Sequence, residues 1–208
     1  MIDKKLLQMH FSRNAVNYDT FAKVQKKMAH ELMEIVKSSN LIRDGKISIL
    51  DIGCGTGCLT EQLINFFPDA DITAVDIAPG MIDLAKEKFK NSNVTFICAD
   101  IEEIAIKGKY DLVLSNATFQ WFNQLKKTIK KLYGLLKNSG IIAFSTFGSS
   151  TFNELHQSYK MAKDKLGLET NLMPGQRFYS YHDLYRICQE TFGVNAHFEF
   201  EVAGMEKF

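Results

Sequence analysis

A glycine-rich turn between an apolar strand and a helix is the segment of this sequence best suited to hold a ligand. Residues 49–57 read Ile-Leu-Asp-Ile-Gly-Cys-Gly-Thr-Gly. Glycines at 53, 55 and 57 allow a tight turn and a close approach of the backbone to a bound group. A helix that begins directly afterwards points its free N–H groups and positive dipole end into the same space. Because many nucleotide-binding proteins share such a turn, it indicates a nucleotide-like ligand without specifying one.

Two aspartates at the ends of the next two predicted strands narrow the choice of ligand. Asp76 ends the second strand, where a carboxylate can accept both ribose hydroxyls of an adenosine. Asp100 ends the third strand, near the expected position of the adenine edge. Ligands of such sheets bind outside the carboxyl ends of the strands, so the turn and both carboxylates are expected in one site. Either aspartate alone could equally cap a helix or a turn.

Apolar runs of strand length alternate with helix-period segments through the middle of the chain. The predicted strands are 47–52, 72–76, 94–99, 110–116 and 141–147. All but the second are nearly continuous in apolar residues, which is typical of strands buried on both faces of a parallel sheet. Helices are predicted around 59–67, 81–89 and 123–136. This alternation predicts right-handed crossovers and an α/β fold, a mostly parallel doubly wound sheet with helices on both faces.

Further segments flank the predicted sheet. Residues 20–38 carry apolar side chains at helical spacing, namely Phe21, Val24, Met28, Leu32 and Ile35. After the fifth strand we predict a helix over 151–166, a loop over 167–177, and a helix capped by Ser180 that ends near 193. Residues 194–202 alternate apolar and polar side chains, which predicts a half-exposed strand. We expect one domain over 1–208, made of an N-terminal helical cap (1–40), a cofactor-binding core (46–148), a substrate-side helical insertion (149–193) and a C-terminal strand (194–208).

The composition excludes several classes of protein. The chain has 208 residues, 46% of them hydrophobic and 24% charged, as in ordinary globular proteins. A formal net charge of +1 disfavours a dedicated nucleic-acid binder. No stretch approaches the ~20 apolar residues of a membrane span or resembles a signal peptide, so we expect a cytoplasmic protein. Cys54 and Cys58 are followed by no second ligand pair, so we expect reduced thiols and no metal.

Four segments, in the right order over about residues 47–147, resemble the cofactor motifs of class I S-adenosylmethionine-dependent methyltransferases. They are 50–57, 75–77 (Val-Asp-Ile), 98–101 (Cys-Ala-Asp-Ile) and 110–116 (Tyr-Asp-Leu-Val-Leu-Ser-Asn). The resemblance implies a Rossmann-like fold and S-adenosylmethionine as cofactor. It implies these cofactor-binding residues: Gly53, Cys54 and Gly55 facing the methionine part, Asp76 on the ribose, Ile77 and Ile101 around the adenine, Asp100 on its amino group, Asn116 beside the reacting methyl, and Asp51 and Met81 as further contacts.

Segments outside the core resemble one subfamily, the malonyl-[acyl-carrier protein] O-methyltransferases of biotin synthesis. They are 13–19, 24–29, 115–122 (Ser-Asn-Ala-Thr-Phe-Gln-Trp-Phe), 145–148, 154–156 and 176–178. The resemblance implies that the acceptor is the free carboxylate of a malonyl thioester, carried by an acidic acyl-carrier protein. Family members usually continue well past residue 208 and have a final strand there, so we expect a shortened C-terminus: either this is a truncated form or the family's last segment is absent.

A carboxylate acceptor is already a nucleophile, so the enzyme mainly has to hold its oxygen in line with the methyl group. Arg177 suits the charged malonyl end because its guanidinium is a planar, bidentate fork. Tyr18 is expected to close over the methionine end of the cofactor or to bond the substrate. The predicted catalytic residues are therefore Tyr18, Asn116 and Arg177. Two groups of lysines, either a docking face for the carrier or plain solvated surface, are Lys126, Lys127, Lys130, Lys131 and Lys137, and Lys23, Lys26 and Lys27.

Other functions remain open at this point. The chain could methylate another small carboxylic acid or metabolite, or be a cofactor-binding relic without catalysis. Tyr159, Lys163 and Ser145 fit a short-chain dehydrogenase, but the Gly-Cys-Gly-Thr-Gly spacing argues against that family. Base methylation of nucleic acids generally needs prolines after the fourth strand, and Ser-Asn-Ala-Thr at 115–118 has none.

Overall fold

The computed structural model describes residues 1–39, 46–169 and 174–193, and its centre is a five-stranded, all-parallel sheet of order β3-β2-β1-β4-β5. The strands are β1 (Ser48–Ile52), β2 (Asp71–Asp76), β3 (Thr95–Cys98), β4 (Tyr110–Asn116) and β5 (Leu136–Ser145). The helices in the described part are α1 (Lys4–Phe21), α2 (Lys23–Ser38), α3 (Cys58–Phe66), α4 (Pro79–Lys88), α5 (Leu125–Tyr133), α6 (Asn153–Leu166) and α7 (Tyr181–Phe192). The predicted Rossmann-like α/β class is confirmed.

The strand order reverses at β1, which pairs with β2 on one side and with β4 on the other. In this register Ile52 lies level with Val75 of β2 and Ser115 of β4. The turns that follow these three strands therefore start at the same edge of the sheet. A reversal of this kind opens a crevice at the carboxyl ends of the strands, which is where such sheets bind ligands.

The main hydrophobic core lies between the central strands and the helices α2 and α3. Met33 and Leu63 are completely buried there, against Ile49 of β1 and Leu114 of β4. Burying such side chains contributes roughly 1.5–3 kcal/mol each. The core holds β1 and β4 rigidly, so the turns at their carboxyl ends have a fixed base.

The N-terminal helix prediction is wrong in its boundaries. One helix was expected over 20–38, but the chain forms α1 and α2 with a break at Ala22. Phe21, expected on the buried stripe, is 80% exposed because it belongs to the end of α1. The buried face of α2 is shifted by one position and consists of Ala29, Leu32, Met33 and Val36.

Two strand expectations also need correction. β3 was expected to be buried on both faces, but Thr95 and Cys98 are exposed because β3 lies at an edge of the sheet. The helix predicted over 123–136 ends at Tyr133, and β5 begins at Leu136 rather than at 141. Leu136 pairs with Tyr110, and an irregularity in the register precedes the pairing of Ile141 with Leu112.

The chain divides into two compact units, Met1–Thr146 and Phe147–Phe208. The first contains the whole sheet with α1 to α5, and the second contains α6 and α7. As predicted, Ser180 caps α7, its hydroxyl accepting the N–H of Asp183. The alternating strand predicted over 194–202 lies outside the described residues, and the single-domain organisation stays a prediction. No described helix is long and apolar enough to cross a membrane.

Candidate active site

The glycine-rich turn follows β1 and is fastened to β2. The Gly53 N–H donates to Val75 O at 2.7 Å, and the Cys54 N–H donates to the same oxygen at 3.1 Å. Gly53 has a φ of +69°, and a Cβ there would lie 2.0 Å from Thr118 Oγ1. Gly55 also has a positive φ, but a Cβ there would meet nothing within 4 Å. The turn therefore presents a bare stretch of backbone to open space.

Asp76 lies beside this turn at the end of β2. Its Oδ2 accepts the Gly55 N–H at 2.9 Å, and its Oδ1 accepts the Ala78 N–H at 2.8 Å. Burial raises the pKa of Asp76, while these two backbone hydrogen bonds act in the opposite direction. Each carboxylate oxygen retains a lone pair beyond its backbone bond, so the carboxylate can accept further hydrogen bonds from a ligand's hydroxyl groups.

A cleft that is partly open to solvent lies at the carboxyl ends of the strands. Nine of the residues predicted to form the site line it: Tyr18, Gly53, Gly55, Asp76, Ile77, Met81, Asp100, Ile101 and Asn116. Its other walls include Lys4, Leu7, Phe11, Thr118, Trp121 and Phe122. The structure thus brings the ends of β1, β2, β3 and β4 and the N-terminal helix together around one space.

Two predicted cofactor contacts, Asp51 and Cys54, lie behind the turn and do not line the cleft. Asp51 is buried in β1, and its Oδ2 accepts the Thr60 hydroxyl at 2.6 Å. Its Oδ1 has no hydrogen-bond partner within the described residues. The Cys54 side chain packs in an apolar cluster with Ala74 and Ile82. Both side chains thus pack behind the cleft, and their direct contact with the cofactor stays a prediction.

Asn116 is held in a fixed orientation where β4 ends. Its Nδ2 donates to Gln25 O of α2 at 2.9 Å, and its Oδ1 accepts the Ser145 hydroxyl at 2.6 Å. The next residue, Ala117, has a φ of +50°, a conformation that costs a non-glycine residue about 1 kcal/mol or more. Strained backbone is thus retained at the point where the chain leaves β4 and enters the cleft wall.

Tyr18 reaches the cleft from α1, with its ring 6.0 Å from that of Phe11 in an edge-to-face arrangement. Burial, together with the charges of Asp76 and Asp19, raises the pKa of Tyr18 to about 12. At neutral pH the phenol therefore keeps its proton. Tyr18 can donate a hydrogen bond in the cleft but cannot act as a general base there.

At the opposite end of the cleft, Asp100 takes part in a charged network that the sequence did not reveal. Lys4 Nζ lies 3.3 Å from Asp100 Oδ2 and 2.7 Å from Glu102 Oε2. Ion pairs between residues so far apart in the chain leave no local pattern. The sequence offered only an indirect signal for this end of the cleft. A capped amphipathic helix is indicated by Asp3, followed by Leu7, Phe11 and Tyr18. Asp3 does cap α1, accepting the N–H groups of Lys5 and Leu6.

Arg177, the third predicted catalytic residue, belongs to the second unit and is exposed in the segment before α7. No described carboxylate forms an ion pair with it. In the same unit, Tyr159 and Lys163, the pair that fits a dehydrogenase, lie on α6. His156 Nε2 lies 3.0 Å from Pro174 O, as expected of a packing histidine. No group of three or more metal-binding side chains occurs within the described ranges.

The lysines expected to form an exposed surface are only partly exposed. Lys131 Nζ donates to Ile101 O at 2.7 Å and to Ile104 O, so it supports the loop after β3. Lys137 lies in β5 rather than on a helix and pairs with Asp111 at 2.6 Å. The exposed lysines are Lys126, Lys127 and Lys130 on α5, and Lys23, Lys26 and Lys27 on α2.

Comparisons with known proteins agree with this geometry. A family model described as a methyltransferase domain matches residues 49–140. The malonyl-[acyl-carrier protein] O-methyltransferase of Acetivibrio thermocellus is 54% identical over 206 residues, which cover 99% of this chain and 72% of that protein. The protein of the same name from Priestia megaterium is 51% identical over 207 residues, covering 100% of this chain and 75% of the relative.

Solved structures show the same fold. An S-adenosylmethionine-dependent methyltransferase from Clostridium acetobutylicum has a TM-score of 0.57 and 27% identity, covering 69% of this chain and 60% of that one. The plantazolicin methyltransferase BpumL, in complex with a triazolic desmethylPZN analog and SAH (S-adenosylhomocysteine), has a TM-score of 0.63 and 18% identity, covering 90% of this chain and 76% of that one. At that identity the second match shows the fold alone.

The sheet order, the glycine-rich turn and the cleft define a class I S-adenosylmethionine-dependent methyltransferase, so the predicted class and cofactor are confirmed. More narrowly, the chain belongs to the malonyl-[acyl-carrier protein] O-methyltransferase family. The dehydrogenase alternative is thereby excluded.

Proposed function

We propose that this protein methylates the free carboxylate of a malonyl group carried as a thioester on an acyl-carrier protein, as a step of biotin synthesis. The observation that carries the proposal is the 54% identity, over 99% of the chain, to a relative named for this reaction. The residues lining the cleft support it, because they provide a cofactor site and a place for an acceptor without a strong base.

The cleft fits S-adenosylmethionine on two observations. Gly55 leaves an open space of the kind a ligand would fill, and Asp76 can still accept hydrogen bonds in that space. We assign Asp76 to the ribose hydroxyls, Ile77 and Ile101 to the faces of the adenine, and Asp100 to its amino group. Gly53 and Gly55, with Met81, would accommodate the methionine end. When bound, S-adenosylmethionine supplies a methyl group on a positively charged sulfur.

The acceptor requires alignment rather than activation, because an ionised carboxylate needs no general base. Asn116 provides a rigid wall where β4 ends, since both its amide atoms are held. Tyr18 donates a hydrogen bond from a phenol that stays protonated. Trp121 and Phe11, with ring centroids 5.9 Å apart, exclude water from this part of the cleft.

Arg177 is assigned to the carboxylate end of the malonyl group. Its guanidinium can bind a carboxylate through two parallel hydrogen bonds. It is exposed and has no carboxylate partner within residues 1–39, 46–169 and 174–193. A cation left unpaired in this way is available to an anionic ligand.

The partner of the reaction would be an acyl-carrier protein, and we propose that its surface is acidic. Lys126, Lys127 and Lys130 support this, because they are exposed on the side of α5 away from the buried Leu125 and Ile129. A cluster of like charges on one helix face attracts an oppositely charged partner and speeds its association.

The test is to incubate the protein with S-adenosylmethionine and malonyl-acyl-carrier protein and to weigh the carrier by mass spectrometry. We expect the carrier to gain one methyl group. Arg177→Ala should lower kcat/KM by about 100-fold, since a charge-assisted bidentate contact is lost. Arg186→Ala is the matched control, because Arg186 lies in the same unit and, among the described residues, its ion-pair partner is Asp183 on its own helix.

Two results would contradict the proposal. If the carrier gains no mass while SAH still binds, the acceptor is a different small acid or the protein does not catalyse transfer. If Arg177→Ala and Arg186→Ala behave alike, the malonyl assignment of Arg177 is wrong.

A further inference from the structure

The N-terminal helix α1 forms one wall of the cofactor cleft along its whole length. Lys4, Leu7, Phe11 and Tyr18 all line the cleft. Their spacings of three, four and seven residues place them on one face of the helix. With 18 residues and about 1.5 Å of rise per residue, α1 extends roughly 27 Å across the carboxyl ends of the strands.

α1 is attached to the sheet layer at several points. Gln8 Nε2 donates to Ile77 O at 2.9 Å. The Gly80 N–H donates to the Ser12 hydroxyl at 3.3 Å, where a Cβ on residue 80 would lie only 2.6 Å from Ser12 O. Near the end of α1, Asp19 Oδ1 accepts the Thr56 hydroxyl at 2.7 Å. These contacts hold the middle and the end of the helix.

The first turn of α1 is held by charge. Lys4 Nζ approaches both Asp100 and Glu102, and its ammonium lies 5.5 Å from the centre of the Phe122 ring. The side chains of Lys4, Asp100 and Glu102 are only 21%, 17% and 5% exposed. An ion pair shielded to this degree is screened less by salt than a surface pair.

Glu102 connects the Lys4 ammonium to the start of α5. Its carboxylate accepts the Asn123 N–H at 2.9 Å and the Gln124 N–H at 2.7 Å, at the start of α5. The Asn123 side chain in turn accepts the Ile2 N–H at 2.6 Å and donates to Ile2 O at 2.9 Å. The residues before and in the first turn of α1 are thus joined to α5 through a few side chains.

We propose that Lys4 is a positioning residue that fastens the first turn of α1 over the adenine end of the cleft and thereby controls exchange of the cofactor. The proposal rests on the cofactor assignment of this cleft. Lys4 also holds the Asp100 carboxylate in place, so its loss affects the group assigned to the adenine amino nitrogen. For the cofactor to leave at this end, the contacts of Lys4 must break.

The first turn is where α1 can open most easily. The N–H groups of a helix's first turn have no partners within the helix, so lifting this end breaks few backbone hydrogen bonds. Without Lys4, the carboxylates of Asp100 and Glu102 would lose the cation that contacts both of them directly. Removal of Lys4 should therefore both loosen the helix end and weaken the adenine site.

The protein carries its own reporter for this motion. Trp121 is its single tryptophan, lines the cleft, and contacts Phe11 of α1 edge to face. Binding and release of SAH should change its fluorescence, which stopped-flow mixing can follow. The variants are Lys4→Met, which removes the ammonium and keeps a long unbranched side chain, and Glu102→Gln, which keeps the side-chain shape.

We expect Lys4→Met to release SAH about tenfold faster, as loss of a charge-assisted hydrogen bond would produce. The KM for S-adenosylmethionine should rise while kcat at saturating cofactor stays within about twofold, because no reacting atom is touched. Glu102→Gln should act in the same direction, and the double variant should show less than the sum of the two effects. Lys4→Arg should restore most of the slow release.

Lys5→Ala is the matched control, because Lys5 is the exposed neighbour on the same turn. It should leave SAH release unchanged, and the melting temperature without ligand shows whether each variant is folded. If Lys4→Met releases SAH at the parent rate, or Lys5→Ala accelerates release equally, the role of Lys4 is overturned. If the parent protein binds no SAH, the cofactor site itself is wrong and the role of Lys4 falls with it. Lost methyl transfer with normal SAH kinetics in the parent would instead count against the proposed function alone.

Discussion

The buried carboxyl group of Asp51, in the strand before the glycine-rich turn, makes the stability of the protein depend on pH. Burial raises its pKa from 3.8 to about 7, against the effect of the Thr60 hydrogen bond and with a smaller contribution from the charge of Asp76. The folded protein therefore holds this proton more tightly than the unfolded chain does. The stability that Asp51 contributes is complete below pH 3.8 and is lost as the pH rises through about 7.

We predict that Asp51→Asn removes this pH dependence. Between pH 5.5 and pH 8 the parent should lose about 2 kcal/mol of unfolding free energy that the asparagine variant keeps. Urea denaturation of the ligand-free protein at the two pH values measures the difference. Asp69→Asn, at an exposed position, is the control and should follow the parent. Parallel loss of stability by parent and Asp51→Asn would show that Asp51 does not titrate in this range.

At the scale of single residues, the sequence predicted the site residues at the strand ends. It missed the residues whose role depends on contacts between distant parts of the chain. Asp76 and Asp100 could be placed because the carboxyl ends of parallel strands meet at one edge. Lys4 and Glu102 could not, because their ion pair joins parts of the chain that only the fold brings together. Asp51 was expected at the cofactor, but strand alternation turns its side chain toward Thr60.

At the scale of elements, α5 has an apolar face and a charged face on opposite sides. Its inner face packs Leu125, Ile129 and Leu132 into the protein, as its apolar stripe predicts. Its outer face presents Lys127 and Lys130 to solvent. The carboxyl end of the helix was harder to predict, because Leu136 continues the helical spacing yet joins β5 by pairing with Tyr110 of β4.

Reversing the charge on the outer face of α5 tests whether this face is the docking surface for the acyl-carrier protein. Lys127→Glu with Lys130→Glu should raise the KM for malonyl-acyl-carrier protein by roughly tenfold and leave the SAH affinity unchanged, since neither residue lines the cleft. The effect should shrink at high salt. Lys86→Glu, an exposed lysine on α4, is the control for a general change of charge. Equal KM values for both variants would place the docking surface elsewhere.

At the scale of the whole molecule, we expect cofactor binding to be independent of the packing of the second unit. Every described residue that lines the cleft belongs to Met1–Thr146. The second unit has its own aromatic cluster, in which the Phe178 ring lies 5.8 Å from Phe147 and 5.9 Å from Phe152. Each unit therefore has packing of its own that can be disturbed by itself.

We predict that Phe178→Ala destabilises the second unit by about 1–3 kcal/mol, since it removes a half-buried ring from this cluster. Its SAH dissociation constant, measured by calorimetry, should stay within about twofold of the parent. Phe119→Ala is the counterpart in the first unit, where Phe119 is buried and stacks on Phe144 at 4.1 Å. That variant should weaken SAH binding clearly. Equal weakening of SAH binding by Phe178→Ala would show that cofactor binding depends on the packing of the second unit.

The contacts of α1 also set an order of events during synthesis. Its partners are far along the chain: Ile77 lies 69 residues after Gln8, Asp100 lies 96 after Lys4, and Asn123 lies 121 after Ile2. A helix of this length is only marginally stable without tertiary packing. Because α1 is synthesised before all of these partners, it must wait until residue 123 has emerged before it can dock fully, and the cofactor cleft is completed only then.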